Sequence, residues 1–276
     1  MPEAFLQQID WRRPWLQPVA SIAKPIVMAE DWRAAINQAA AAAGICNASG
    51  MPIQFVFQEI LPAGVAYESF IFDTGQVPTR ENLHDFFNAL IWLAYPAVKQ
   101  RLNKLQATEI AEASADPAGG SRSSGRGKLR DAATIFDENA AFFVSESQEV
   151  VDALRSHEWE KVFLEQRDFF DGHCEVLLFG HALLEKLVTP FKGITAHTCC
   201  FHVDRDYFLM APPARRKRIS SILLTQSLGQ DLNRSIFNAL PVAGVPGWWE
   251  GQTKAFYVDK AVFRPKTRNK ATEKDR

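Results

Sequence analysis

Residues 77–96 read VPTRENLHDFFNALIWLAYP and contain a strongly periodic segment. Apolar side chains recur there at intervals of three and four residues, at Leu83, Phe86, Phe87, Leu90 and Ile91. This spacing predicts an amphipathic helix with one face in the core. We expect the helix to begin at Thr79, with Glu81 in its first turn, and to break or restart at Pro96.

The opposite side of this predicted helix is a mixed stripe of polar and aromatic residues, namely Glu81, His84, Asp85, Asn88, Trp92 and Tyr95. Charged and amide residues opposite an apolar face usually indicate a solvated surface. Trp92 and Tyr95 are poor choices for open water, so the stripe favours contact with a second layer or a cleft. In a cleft, His84, Asp85 and Asn88 can act as a base, a ligand or an orienting group.

A second polar segment, RDAATIFDEN at residues 130–139, precedes the apolar run 141–144. The short apolar runs Ala133–Phe136 and Ala141–Val144 predict two strands of a hairpin, with Asp137 and Glu138 in its turn.

The same segment offers three carboxylates, Asp131, Asp137 and Glu138, beside Arg130. Clustered carboxylates suit a hard divalent cation such as magnesium or manganese. An acidic turn without a function is the alternative, because Asp and Asn are ordinary turn residues. Asp131 lies outside the turn, so that explanation does not cover it.

Two further groups contain histidine. His181 and Glu185 are four residues apart in a predicted helix over 176–188, so their side chains share one face. They form either a structural pair or half of a metal or acid/base site, and Gly180 allows close approach of another segment. Six potential soft ligands lack the spacing of a zinc knuckle: His173, Cys174, His197, Cys199, Cys200 and His202. Small core residues and reduced thiols are the preferred interpretation.

Other patterns place an alanine-rich helix at residues 30–43 and strands at 53–60, 67–72 and 194–203, the first two as antiparallel neighbours. The predicted fold class is therefore α+β, mainly helical with a small antiparallel sheet. We expect a single domain over residues 1–276. A flexible loop is expected near 113–129, and a disordered tail near 266–276.

The composition excludes several classes of protein. With 31 basic and 32 acidic residues, the formal charge is -1, and this gives no global support for binding nucleic acid. No run approaches the roughly 18 apolar residues of a membrane span, and the N-terminus lacks the apolar core of a signal peptide. The expected location is the cytoplasm, without membrane association.

Four separated strings carry a resemblance: VPTRENLHDFFNALIWLAYP, RDAATIFDEN, GHALLEKL, and VPGWW with VFRP. Together and in this order they resemble the bacterial domain of unknown function 3025 family. The family has no assigned activity, so the resemblance implies a bacterial, cytosolic protein and transfers no catalytic residues.

Two functions remain open from the sequence. The first is a hydrolase-like enzyme in which His84, Asp85 and Asn88, with Arg130 and Asp131, surround a cleft. A divalent metal held by Asp131, Asp137 and Glu138 belongs to this hypothesis. The second is a non-catalytic protein that binds an acidic partner or RNA. Its surface would combine the basic run ARRKR at 214–218 with the aromatic residues Trp92, Tyr95, Trp248 and Trp249.

Overall fold

A computed structural model describes residues 3–115, 123–229 and 232–266. The α-helices are α1 (Gln17–Val27), α2 (Trp32–Ala42), α3 (Tyr67–Thr74), α4 (Leu83–Ala94), α5 (Pro96–Ala115), α6 (Ser123–Asn139), α7 (Gln148–Arg155), α8 (His181–Lys186), α9 (Asp206–Leu209), α10 (Pro212–Gln226) and α11 (Lys254–Tyr257). No helix among the described residues is long and apolar enough to cross a membrane.

Six strands form two sheets: β1 (Gln54–Phe57), β2 (Gln76–Thr79), β3 (Ala140–Ser145), β4 (Cys174–Leu178), β5 (Thr195–His202) and β6 (Asn238–Pro241). Strands β1 and β2 pair in parallel. The larger sheet has the order β4-β3-β5-β6, in which only the central β3–β5 pair is parallel. The α+β, mainly helical prediction is confirmed. The sheet is larger than predicted, and it is mixed.

The predicted hairpin near 133–144 is wrong. Residues 133–136 belong to α6, and the chain passes directly from this helix into β3 at Ala140. Leu129, Ala132, Ala133 and Phe136 are all buried, at the spacing of one helical face. A four-residue apolar run fits either a strand or a helix. The helical spacing of the buried residues from Leu129 to Phe136 is consistent with the helix found here.

Two other predicted segments also differ. Residues 67–72, expected as a strand, form α3, which Gly75 ends with a left-handed backbone at φ 74°. The helix expected over 176–188 is strand β4 followed by the short helix α8, with Gly180 between them. Because α3 is a helix, β1 pairs with β2 and not with residues 67–72.

Helix α4 begins four residues later than expected. Thr79 ends β2, and the Asn82 side chain caps the helix by accepting a hydrogen bond from the Asp85 backbone N–H at 2.8 Å. Glu81 therefore precedes the helix. The break at Pro96 is confirmed, because α5 starts there.

The predicted loop over 113–129 is partly helical, since α5 reaches Ala115 and α6 starts at Ser123. Residues 116–122 lie outside the described residues, as does the predicted tail apart from Lys266.

Strand β3 forms the centre of the core, and all six of its side chains are buried. An aromatic cluster around its Phe142 consists of Tyr95, Phe136, Phe179 and Phe201. Tyr95 and Phe179 directly follow α4 and β4, and Phe136 and Phe201 belong to α6 and β5, so this cluster connects the helices to the sheet. Helices α4 and α6 each pack against α8, and a polar cavity lies where they meet.

Candidate active site

The central cavity has a volume of about 340 Å³ and polar walls. Helices α3, α4, α5, α6 and α8 each contribute at least one lining residue. The sequence candidates His84, Asp85, Asn88, Asp137 and Glu138 all line it. A volume of this size matches the lower range of small-molecule sites.

Helix α4 supplies one wall of the central cavity. His84 is partly exposed, whereas Asp85 and Asn88 are each only 7% exposed. Trp92 and Tyr95 continue the same stripe and are fully buried. The stripe is thus covered by other helices, as the two aromatic residues indicated, and Trp92 and Tyr95 cannot contribute to an exposed binding surface.

The Asp85 carboxylate is hydrogen-bonded to Arg80. One of its carboxylate oxygens accepts hydrogen bonds from the Arg80 backbone N–H at 2.6 Å and from Nε at 2.9 Å, and the other accepts one from Nη2 at 3.0 Å. These bonds close the turn before α4 and fix Arg80 at the cavity edge. Asp85 therefore holds the wall in place and has little capacity left for a substrate.

Lys99 is the most deeply buried cation beside the central cavity that the described residues contain, with 4% exposure. Its Nζ donates to both carboxylate oxygens of Asp137, at 2.6 and 2.7 Å, and to Asn88 Oδ1 at 2.8 Å. The ammonium also lies 5.5 Å from the ring centre of Trp92. All three donors of Lys99 are therefore used, as a buried charge requires.

Two carboxyl groups of the central cavity have pKa values displaced in opposite directions. Burial raises the pKa of Glu68, and the attraction of Lys99 offsets this only in part. Burial also acts to raise the pKa of Asp137, but Lys99 and His181 outweigh it and leave the Asp137 pKa lowered. The environment thus makes Glu68 the more readily protonated of these two carboxyl groups.

A chain of hydrogen-bonding groups crosses the central cavity. The Glu185 carboxylate lies 2.9 Å from His84 Nδ1, and His84 Nε2 lies 3.0 Å from His181 Nε2. His181 Nδ1 is 3.9 Å from Asp137 Oδ2 and has no hydrogen-bond partner. The predicted pairing of His181 with Glu185 is therefore replaced by one in which His84 stands between them.

The two rings must share protons in a coupled way. Glu185 accepts a hydrogen from His84 Nδ1, so a neutral His84 accepts the next hydrogen from His181 at Nε2. If His84 gains a proton there, the contact remains a hydrogen bond only when His181 carries its hydrogen on Nδ1, facing Asp137, and this tautomer requires water to take the Nε2 proton and to supply another at Nδ1. Burial lowers the pKa of His181 to about 4, which keeps this ring neutral near pH 7. The proton state of His84 thus sets the tautomer of His181.

Gly180 makes this arrangement possible. A Cβ atom at this position would lie 2.5 Å from the Asn139 Cα at the end of α6. The close approach expected from the sequence is confirmed, and it brings His181 of α8 to Asp137 of α6.

Arg130 and Asp131 are not brought to the central cavity. Both are exposed on α6, and Asp131 forms an ion pair with Arg234 at 3.3 Å. Among the described residues, no group of three or more His, Cys, Asp or Glu side chains is arranged to hold a metal ion. Asp131, Asp137 and Glu138 therefore form no shared site for magnesium or manganese there.

The histidine and cysteine residues of 173–202 are engaged separately. His173 pairs with Glu146 at 2.7 Å, and His197 contacts Asn139 at 2.8 Å. Cys174, Cys199 and Cys200 are buried and unpaired, as the core interpretation predicts.

Nothing in the sequence pattern singled out Lys99, Tyr67 or Glu68 as site residues. Lys99, Asn103 and Gln106 follow one another at spacings of four and three, so a polar helical face was visible. A polar helical face is normally exposed to solvent, and only the fold shows that these three side chains are buried. Tyr67 and Glu68 were assigned to a strand, which hid their position beside α4.

The mainly helical chain with its two sheets is an α+β protein, and polar side chains from five helices line its central cavity. Residues 53–267 match the family described as Protein of unknown function (DUF3025), and the chain belongs to this family. No curated protein and no solved structure matches the chain.

Proposed function

We propose that the chain is a hydrolase-like acid–base enzyme that acts on a small polar substrate in the central cavity. One arrangement supports this function. His84, held by Glu185 and His181, shares a cavity with Glu68 and Asp137, whose pKa values are displaced apart. Environments that separate the pKa values of neighbouring titratable groups are typical of acid–base catalysis.

His84 is the proposed base. With its hydrogen on Nδ1 against Glu185, the ring presents a lone pair at Nε2, for which water in the cavity competes with His181. The water proton passes to His84, and the water oxygen forms a bond to the electrophilic carbon of the substrate. The imidazolium that results is stabilised by the Glu185 carboxylate, which lies 2.9 Å from His84 Nδ1.

Glu68 is the proposed acid. Its pKa is raised by burial, so Glu68 holds a proton to higher pH than an ordinary glutamate, and in the protonated form it gives this proton to the leaving group as the scissile bond breaks. Asn103 Nδ2 donates to Glu68 Oε2 at 2.7 Å and orients the carboxyl group. Return of the proton from His84 to Glu68 through water restores the starting state.

Lys99 and Asp137 are proposed as fixed charges and not as proton carriers. Asp137 remains ionised because Lys99 contacts both of its oxygens. Its negative charge faces His181 Nδ1 and favours the tautomer that accompanies protonation of His84. Asn88, bound to Lys99, extends this network to the Tyr67 hydroxyl at 3.2 Å.

A screen of small chromogenic esters, amides and glycosides with the purified full chain tests the proposal. With the best substrate, we expect His84→Gln and Glu68→Gln each to lower kcat/KM by about 100-fold or more, the usual contribution of a general acid or base. Asp131→Asn, which changes a carboxylate outside the cavity, should retain the activity. Equal losses in all three variants, or no hydrolysis of any compound, would contradict the proposal.

The pH profile distinguishes the acid from a merely structural group. A catalytic Glu68 must be protonated, so wild-type activity should fall as the pH rises through its raised pKa. In Glu68→Gln, the residual activity should lose this alkaline fall. A variant that keeps the wild-type profile at a lower rate would assign Glu68 a structural role only.

The proposal includes a cytoplasmic location. Its support is that all four cysteines are unpaired, as is usual in a reducing compartment.

A further inference from the structure

A second cavity, of about 330 Å³, involves a different part of the chain. It is formed by the N-terminal segment 14–18, strand β4, the start of α10 and the segment 245–248. Much of its wall is apolar, with Phe170, Val176, Leu177 and Trp248 among the lining residues. We call it the β4–α10 cavity. It shares no lining residue with the central cavity.

Three charged side chains also line the β4–α10 cavity: Glu175, Arg215 and Arg216. Glu175 is already satisfied, because it accepts a hydrogen bond from the Tyr207 hydroxyl and one from Arg215 Nη1 at 2.7 Å. Arg216 Nη1 donates to the Pro18 carbonyl at 3.0 Å. In the described part of the chain, no carboxylate lies within 4.0 Å of the Arg216 guanidinium. The wall therefore carries one uncompensated positive charge.

Unused hydrogen-bond donors accompany this charge. Arg215 Nε is buried and has no hydrogen-bond partner. Trp15, whose ring centre lies 6.0 Å from that of Trp248, also has a buried Nε1 without a partner. Buried donors are normally satisfied, so these two nitrogens leave the structure behind the cavity wall short of hydrogen-bond acceptors.

We propose that the β4–α10 cavity binds a small molecule with an apolar body and a single carboxylate. The flat side chains of Trp248 and Phe170 and the aliphatic wall suit the apolar body. The planar guanidinium of Arg216 suits the carboxylate, which it can hold through paired N–H groups. A ligand with one negative charge balances the wall, whereas a polyanion exceeds the single unpaired charge of Arg216 and a cation is repelled by it.

A matched series of three probes tests the proposal on the full wild-type chain: phenylbutyrate, phenylbutanol and phenylbutylamine. The three share one apolar body and differ in the charge of the terminal group. Isothermal calorimetry, with Trp fluorescence as a second readout, should show phenylbutyrate binding about tenfold or more tightly than phenylbutanol, with phenylbutylamine weakest. Equal affinities, a preference for the amine, or no binding by any probe would overturn the proposal.

Two variants locate the carboxylate. Arg216→Gln should reduce the affinity for phenylbutyrate by about tenfold and leave that for phenylbutanol unchanged, because only the charge-assisted bonds are lost. Lys217→Gln is the matched control, since it removes the same charge from an exposed neighbour on α10 and should not alter either affinity. Equal effects of the two substitutions would show long-range attraction only, and would contradict a site at Arg216. Thermal unfolding checks that both variants remain folded.

Discussion

Helix α6 carries two ion-paired carboxylates, and their surroundings are opposite. Asp131 is exposed and meets Arg234 at 3.3 Å, with both side chains more than half accessible. Asp137, six residues later, is buried and meets Lys99 at 2.6 Å, with side-chain exposures of 11% and 5%. Helix α6 therefore carries one solvent-exposed ion pair and one buried ion pair.

The comparison shows why residue type alone does not identify a site. In water, the attraction between two charges is screened, and an exposed pair contributes about 0–1 kcal/mol. Away from water, each charge depends on its partner, and loss of one partner costs about 3–5 kcal/mol. The buried half of α6 is also the half that reaches His181 and the central cavity. Burying the charges of Lys99 and Asp137 costs stability, which is consistent with a functional reason for keeping them there.

The largest expected effect is that of Lys99→Met. This substitution leaves Asp137 buried without its counter-charge, so the free energy of unfolding in urea should fall by about 3–5 kcal/mol. The matched substitution Arg234→Met on the exposed pair should change it by less than about 1 kcal/mol. Similar losses of stability in both variants would contradict the expected difference between the buried and the exposed ion pair.

Gly180→Ala should have the next largest effect. The added methyl group would collide with backbone atoms of Glu138 and Asn139, which cannot move without displacing the end of α6. We expect a loss of about 3 kcal/mol in the free energy of unfolding, the upper end of the overpacking range. The control is Gly127→Ala in α6, where no atom lies within 4 Å of the added Cβ. This substitution should not destabilise the chain. A fully stable Gly180→Ala variant would contradict the packing that positions His181.

A smaller, pH-dependent effect is expected at His181. Its pKa is lowered from the usual 6.5 to about 4, first because it is buried, so the unfolded chain binds this proton more readily than the folded chain. Stability from this group is therefore present above pH 6.5 and is lost as the pH falls toward about 4. Between pH 7 and pH 5, wild type should lose about 2 kcal/mol more than His181→Gln in urea unfolding. Identical pH dependence in the two proteins would exclude a buried, neutral His181.

The smallest effect is expected for Asp131→Asn. Because Asp131 and Arg234 remain accessible to water, the free energy of unfolding should change by less than about 1 kcal/mol, and salt should reduce that change further. Unfolding at low and high ionic strength measures both quantities. A loss above about 2 kcal/mol would show that the exposed half of α6 also depends on its ion pair.

The sequence was most informative where one helix had a long, clear period. The faces of α4 follow from a 3.6-residue repeat, so His84, Asp85 and Asn88 were grouped correctly although the helix begins at Leu83 and not at Thr79. The aromatic residues Trp92 and Tyr95 indicated that this face is covered, and both are buried.

Short apolar runs were misleading for a physical reason. Residues 67–72 and 133–136 fit both a strand and a helix, and tertiary packing decided for the helix in each case. Because of these strand assignments, Asp137 was predicted to lie in a turn, and Glu68 was not recognised as a site residue. Lys99 could not be recognised either, because its burial results from α3, α4 and α6 closing around α5.

The separation of the Glu68 and Asp137 pKa values is the central claim for the site, and site-specific carboxyl NMR tests it without a substrate. In a pH titration of the folded chain, Glu68 should titrate above its usual value of 4.5, and Asp137 below its usual value of 3.8. Such an order means that one carboxyl group of the central cavity holds a proton when the other is ionised. A Glu68 that titrates at or below its usual value, or an Asp137 that titrates above Glu68, would contradict the proposed acid and base assignments.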